Sequence, residues 1–172
     1  LEAYNAGGDF IAMFLAPATA CLAISIYRQL PVLKKNLIPV LAGSTVGAGV
    51  SMGSVYLLCR LFRLDEKMTA SLLPKSVTTP IAMGVSEQLG GIVPITVAAV
   101  VFTGILGAIF APLMIKIFRV RSPIAAGLAI GACSHAVGTS KAVELGEVEG
   151  AMSGIAIGTV GLVTVILGMV LS

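Results

Sequence analysis

Charge is what this chain has least of. Only 11% of its 172 residues are Asp, Glu, Lys or Arg, where a soluble domain carries roughly 25%. With 57% hydrophobic residues and a mean hydropathy of +1.04, that deficit excludes an ordinary soluble domain and leaves a membrane protein. Histidine occurs once, as His135. The three cysteines, Cys21, Cys59 and Cys133, stand singly inside apolar runs. They therefore read as small hydrophobic side chains rather than disulfide partners or metal ligands, and no metal or cofactor is expected. A Walker A loop and a His-Glu-x-x-His pair are both missing and no hydrolase nucleophile elbow is read, so the chain is not read as an enzyme or a nucleotide-driven pump. The net charge of +3 is carried in loops, without a basic stripe interleaved with aromatics. That pattern suits lipid headgroups and argues against nucleic acid.

What fills the chain instead is apolar sequence in membrane-crossing lengths. The length leaves room for about six crossings of ~20 residues. Residues 10–27 (FIAMFLAPATACLAISIY) read as a first helix kinked at Pro17, followed by a loop, 28–36, that carries Arg28, Lys34 and Lys35 and no acid. Such a loop favours the cytoplasmic side. Residues 37–58 form a second helix, in which Gly43/Gly47 and Gly49/Gly53 have the spacing of close helix packing. Residues 92–117 and 151–171 complete the clear helices, the last without a charge and punctuated by Gly154, Gly158 and Gly161.

Two further stretches have membrane length but the wrong contents. Residues 71–91 (SLLPKSVTTPIAMGVSEQLGG) contain Pro74, Lys75, Thr78, Thr79 and Pro80. Two prolines six apart remove backbone donors, so the helix must break or restart near residues 78–80. Broken backbone at membrane depth survives only inside protein or beside a water-filled cavity, and in carriers it tends to lie at the substrate. Residues 124–143 are interrupted by Ser134, His135, Gly138, Thr139, Ser140 and Lys141.

A restarted helix offers free N–H groups to an anion. Ser76, Thr78 and Thr79 beside Pro80 add hydroxyls, and Lys75 adds a positive charge. On the second stretch, Ser134, His135, Gly138 and Thr139 form the facing group, with His135 able to change charge near neutral pH. The candidate substrate-binding residues are these nine. Four of them have a structural alternative: Thr78 and Thr79 bond a carbonyl freed by Pro80 or that of the turn before it, Lys75 snorkels to the interface, and His135 is a neutral interhelical hydrogen-bond partner. Lys141 is read as pairing with Glu144 or Glu147, and Glu144, Glu147 and Glu149 as a solvated turn.

An ordered echo links Gly7-Gly8, Ala16-Pro17, 26–28, Pro31 and 41–49 to Gly90-Gly91, Ala111-Pro112, 117–119, Pro123 and 128–139. It implies a duplication of roughly ninety residues. A fully crossing segment at 71–91 would invert the two copies; a re-entrant one would put both basic loops in the cytoplasm. Crossing is the expectation, on transporter precedent. The fold class expected is an all-α polytopic bundle with broken helices and an inverted internal repeat.

The strings LLPKSVTTPIAMGVSEQLGG, GLAIGACSHAVGTSKAVELGEVEGA and LAPATACLAISIY resemble the LrgB/CidB family of bacterial inner-membrane proteins, over the whole chain. Ser140-Lys141 stands where the family commonly has Ala-Arg, and Ile24-Ser25 where an apolar-Pro pair is usual. The resemblance implies a single LrgB-like domain over 1–172, with family members beginning in additional hydrophobic helices that this chain lacks. It also implies a multi-pass inner-membrane location and two functions. One is secondary transport of a small organic anion, a monocarboxylate such as pyruvate, glycolate or glycerate, as in plastid relatives. The other is antiholin-like regulation of murein hydrolases and lysis beside a small holin-like partner of the LrgA/CidA type. The partners expected are the lipid bilayer, such an anion, the small membrane protein and further copies of the chain in a homo-oligomer.

Overall fold

The computed structural model describes residues 30–171, together with Met13 and Tyr27. The helix expected at 10–27, Cys21, and most of the first copy of the ninety-residue echo lie outside the described residues. Within them all regular structure is helical, in seven helices. A short α1 (Leu30–Lys35) ends where the Asn36 side-chain amide donates to Val32 O at 2.9 Å. Three long helices follow at intervals: α2 (Leu37–Leu61), α5 (Val93–Ile117) and α7 (Glu147–Leu171), each of 25 residues. At 1.5 Å per residue each is about 37 Å long, more than the ~30 Å of a bilayer's hydrocarbon. These are the three helices among the described residues long and apolar enough to cross a membrane.

With the end at which α2 finishes taken as the upper end, α2 and α7 both run upward. Val40 packs with Met152 and Ile155 near the bottom, Thr159 Oγ1 donates to Ser44 Oγ at 2.7 Å, and Met52 meets Leu167 higher up. α5 runs down.

Between α2 and α5 the chain dips into the bundle and returns. Asp65 caps α3 (Glu66–Leu72) by accepting from Met68 N at 2.7 Å. Residues 73–78 are non-helical, and α4 (Thr79–Gln88) then climbs back. The return is fixed at the top, where Ile92 N donates to Ser71 Oγ at 2.7 Å and Leu89 joins Leu73, Met52 and Cys59. It is fixed in depth by Val77 and Ala82, which pack with Ala48, Val100 and Val160. The segment is therefore re-entrant rather than crossing. The physical reason lies in its arms: helices of 7 and 10 residues reach about 10 and 15 Å, and neither spans a bilayer.

α6 (Pro123–Leu145) does the same from below. Ser122 Oγ accepts from Ala125 N at 3.4 Å and Pro123 occupies the first turn, where its missing N–H costs nothing. At His135 the backbone leaves the helical region, with φ 42° and ψ −141°. Before the bend the helix lies parallel to α7, Gly127 facing Met152 and Gly131 facing Ser153 and Ala156. After it the order reverses: Thr139 meets Ser153, and Val143 meets Gly150. The second broken stretch is a hairpin too, entering from the lower end.

Among the described residues there are thus three crossings and two opposed re-entrant hairpins, and the stretches 71–91 and 124–143, counted among the expected crossings, do not cross. The bundle also shows a repeat of a different length. α5 begins and ends 56 residues after α2, and Arg63 and Arg119 occupy the same place beyond them, both left-handed, with φ of 55° and 50°. Each follows a helix closed by the same bond, Leu64 N to Cys59 O and Val120 N to Ile115 O, the Schellman pattern. One unit enters from above and the other from below, so the repeat is inverted. The ninety-residue echo pairs the continuous α2 with the broken α6 and does not describe this symmetry.

The basic residues Lys34, Lys35, Lys116, Arg119 and Arg121 all belong to the lower end. Single cysteines placed at Lys35 and Arg121 should accordingly react with an impermeant thiol reagent from the same face of sealed, oriented vesicles. Labelling from opposite faces would contradict the two hairpins.

Candidate functional site

The two hairpin tips meet near the middle of the bundle. Val77 from the first and Ala132 from the second join Ala48, Ala82, Val100 and Val160 in one apolar cluster. The polar residues around that cluster fall into two groups, and no hydrogen bond among the described residues joins one group to the other.

The upper hairpin carries Lys75, Ser76, Thr78, Thr79 and Pro80. Pro80 stands in the first turn of α4, so its ring begins the helix instead of breaking one. It is solvent- or lipid-accessible, while Lys75, Thr78 and Thr79 are half-buried and Ser76 is buried. Thr78 sits at the N-cap with extended backbone, yet its side chain makes no capping bond. The hydroxyls of Thr78 and Thr79 do not close onto a carbonyl, which removes the back-bonding alternative for them, and the first N–H groups of α4 are left without a side-chain cap. Ser76 Oγ shares a hydrogen bond with Ser51 Oγ on α2 at 2.7 Å and accepts from Lys75 Nζ at 3.2 Å.

The lower hairpin carries Ser134, His135, Gly138 and Thr139, all buried. Here the polar side chains are taken up by bonds within the protein. Ser134 Oγ donates to Ile130 O at 2.9 Å and Thr139 Oγ1 to His135 O at 2.9 Å, while Thr139 and Ser153 share a bond of 2.7 Å. His135 Nε2 lies 2.9 Å from Val100 O; since a carbonyl only accepts, this nitrogen carries the proton. Gly138 gives the hairpin's own arms room: a Cβ there would meet Ser134 and Ile130. His135 occupies a backbone region that costs roughly 1–3 kcal/mol, and such strain persists only where the surroundings enforce it.

Those surroundings were not visible in the pattern of α5. A Cβ on Gly104 would lie 2.6 Å from His135 Cε1, and one on Gly107 would overlap Ser134. The two glycines cut the notch that seats the lower tip. The signal was a glycine pair three apart in an otherwise bulky helix. Ser51 was missed as well, although its hydroxyl joins α2 to the upper hairpin by a hydrogen bond. The string Gly49-Val50-Ser51-Met52-Gly53 has the spelling of a hydrolase nucleophile elbow, but it lies inside continuous α2 and lacks the strand-to-helix turn that makes an elbow.

Elsewhere the outcomes divide. Lys141 pairs with Glu144 at 2.5 Å, as expected. Glu147 and Glu149 are the first turn of α7 rather than a free turn. Cys59 is buried but Cys133 is exposed. Gly47 meets Ala132, whereas Gly49 and Gly53 have no neighbour within 4 Å.

Comparison with known proteins follows the same outline. The model of the LrgB-like family matches residues 1–172. The chain belongs to the LrgB-like family. Among LrgB relatives it is similar to an antiholin-like protein LrgB from Bacillus mycoides (strain KBAB4), 44% identical over 165 residues, covering 96% of this chain and 72% of that one. It is similar at 43% identity, with the same coverage, to proteins of that name from Bacillus cereus (strain B4264) and Bacillus anthracis (strain CDC 684 / NRRL 3495). No solved structure matches this LrgB-family chain.

Proposed function

We propose that this LrgB-family chain is a secondary carrier of small monocarboxylates such as pyruvate, glycolate or glycerate in the bacterial inner membrane. The observation that carries the reading is the uncapped start of α4 at mid-depth, with the Thr78 and Thr79 hydroxyls free beside it. Half-helix starts at the junction of opposed repeats are where carriers hold anionic groups. The single charge of Lys75 supports the same reading, and the charge of the lower loops supports a cytoplasmic lower end.

The names of the relatives support a second reading more directly than they support transport. They are called antiholin-like proteins, which favours a regulator of murein hydrolases and lysis that acts with a small holin-like membrane protein. A regulator of that kind needs an interaction surface and has no use for free hydroxyls at mid-depth.

Proteoliposome uptake separates the two. The native chain should show saturable uptake of labelled glycolate or pyruvate, Thr79→Ser should retain it, and correctly folded Thr79→Val should lose tenfold or more. Absence of uptake above empty liposomes, together with a lysis phenotype in cells that Thr79→Val leaves unchanged, would overturn the carrier in favour of the regulator.

A further inference from the structure

Lys75 is a cation at membrane depth with no acid among the described residues to answer it. The acidic side chains of the described residues stand at the ends of the bundle: Asp65, Glu66 and Glu87 above, Glu144, Glu147 and Glu149 below. The one ion pair among the described residues is Lys141 with Glu144. Lys75 Nζ instead donates to Ser76 Oγ, which is held by Ser51 Oγ. The apolar stem of the lysine also lines a cavity of about 220 Å³ between α2 and the upper hairpin, beside Val55, Leu58, Cys59, Leu64 and Leu72. A half-buried ammonium group at membrane depth is unfavourable without a counter-charge, and two hydroxyls do not supply one.

We infer that Lys75, Ser76 and Ser51 form a binding site for a singly charged small carboxylate. The carboxylate takes the lysine as its counter-ion, and the two serines donate to its oxygens in place of their bond to each other. The inference rests on the carrier reading and gives it a selectivity. A second negative charge on the ligand would face apolar side chains with no second cation, so monoanions bind and dianions do not. Ser51 becomes a specificity residue on the continuous helix α2, opposite the upper hairpin. The same oxyanion chemistry is offered by an acidic lipid headgroup, which would approach through the open side of the cavity.

The test is equilibrium binding of labelled glycolate and pyruvate to the full chain in nanodiscs of neutral phosphatidylcholine, beside uptake in proteoliposomes. Native protein should bind saturably. Lys75→Gln should weaken binding thirtyfold or more, Ser51→Ala about fivefold, and Lys75→Arg and Lys141→Gln less than threefold, with succinate failing to compete. Thermal unfolding of each variant checks the fold, and Ser51→Ala with Lys75→Arg keeps the test decisive should Lys75→Gln not fold. Binding and uptake that are indifferent to Lys75 and Ser51 would overturn this site while leaving the carrier intact. Neither binding nor uptake by the native chain would overturn both. Binding abolished by replacing phosphatidylcholine with phosphatidylglycerol would assign the site to lipid headgroups and overturn the carboxylate.

Discussion

Gly131→Val should prevent this protein from accumulating in a folded form, whereas Gly53→Val should be tolerated. The first half of α6 approaches α7 so closely at Gly131 that a Cβ would overlap the Ser153 carbonyl and stand 2.8 Å from Ala156 Cβ. Overpacking usually costs about 1–3 kcal/mol when side chains can yield, but backbone cannot swing aside, so about 3 kcal/mol or more is expected here. The neighbouring Thr139 to Ser153 bond would be lost in the same movement, since the hairpin's second arm rides on the same residue of α7. At Gly53 nothing lies within 4 Å, and valine is an ordinary residue of a membrane helix. Detergent-solubilised yield and thermal unfolding of the two variants measure this directly. Equal loss in both would mean that the outward face of α2 is as tightly packed as the α6–α7 seam.

The second large effect concerns the notch on α5. Gly104→Leu places a side chain where the His135 ring and Val137 Cβ now sit, at 2.6 and 3.0 Å from the added Cβ. It should lower stability by about 3 kcal/mol and shift the lower tip. His135→Ala alone removes the bond to Val100 O, a net loss of about 1 kcal/mol, and empties the notch. In that background Gly104→Leu should cost clearly less, because the added leucine fills the space that the ring vacated. Contacting residues commonly couple by 0.5–3 kcal/mol, and a coupling of about 1.5 kcal/mol is expected here. Strictly additive losses in a thermal-unfolding cycle would show that Gly104 does not seat His135.

These two sites show where reading from sequence succeeds and where it stops. The prolines at 74 and 80 and the polar run at 134–141 identified both breaks, because an interrupted helix in a bilayer has to be announced by residues that cannot continue it. Proline lacks a donor, and hydroxyls and imidazole stand out against leucine and valine. Ser134 and Thr139 then proved to be bonded within the hairpin or to α7, while Thr78 and Thr79 stayed free. Hydroxyl spacing alone does not distinguish these, since a serine four residues from a carbonyl has that partner whatever else it does.

The glycines mark a similar boundary. Gly43/Gly47 and Gly49/Gly53 share one spacing, yet Gly47 touches Ala132 and Gly53 touches nothing. Spacing places residues on one face of a helix and leaves open which face meets a neighbour. Gly104 and Gly107 matter because His135 and Ser134 press on them, a fact that depends on residues 31 and 27 positions away.

The sequence by itself determined the membrane class, the all-helical content and the location of both breaks, because those follow from hydropathy, chain stiffness and composition acting over a few turns; the family came from the resemblance of long specific strings. The tertiary structure alone decided that the broken segments re-enter instead of crossing, that the repeat is 56 residues long, and that Ser51, Gly104 and Gly107 belong to the hairpin sites. Direction reversal at residues 73–78 and at His135 is set by where each short arm finds a packing partner. That is a property of α2, α5 and α7 together, which the segments' own residues do not encode.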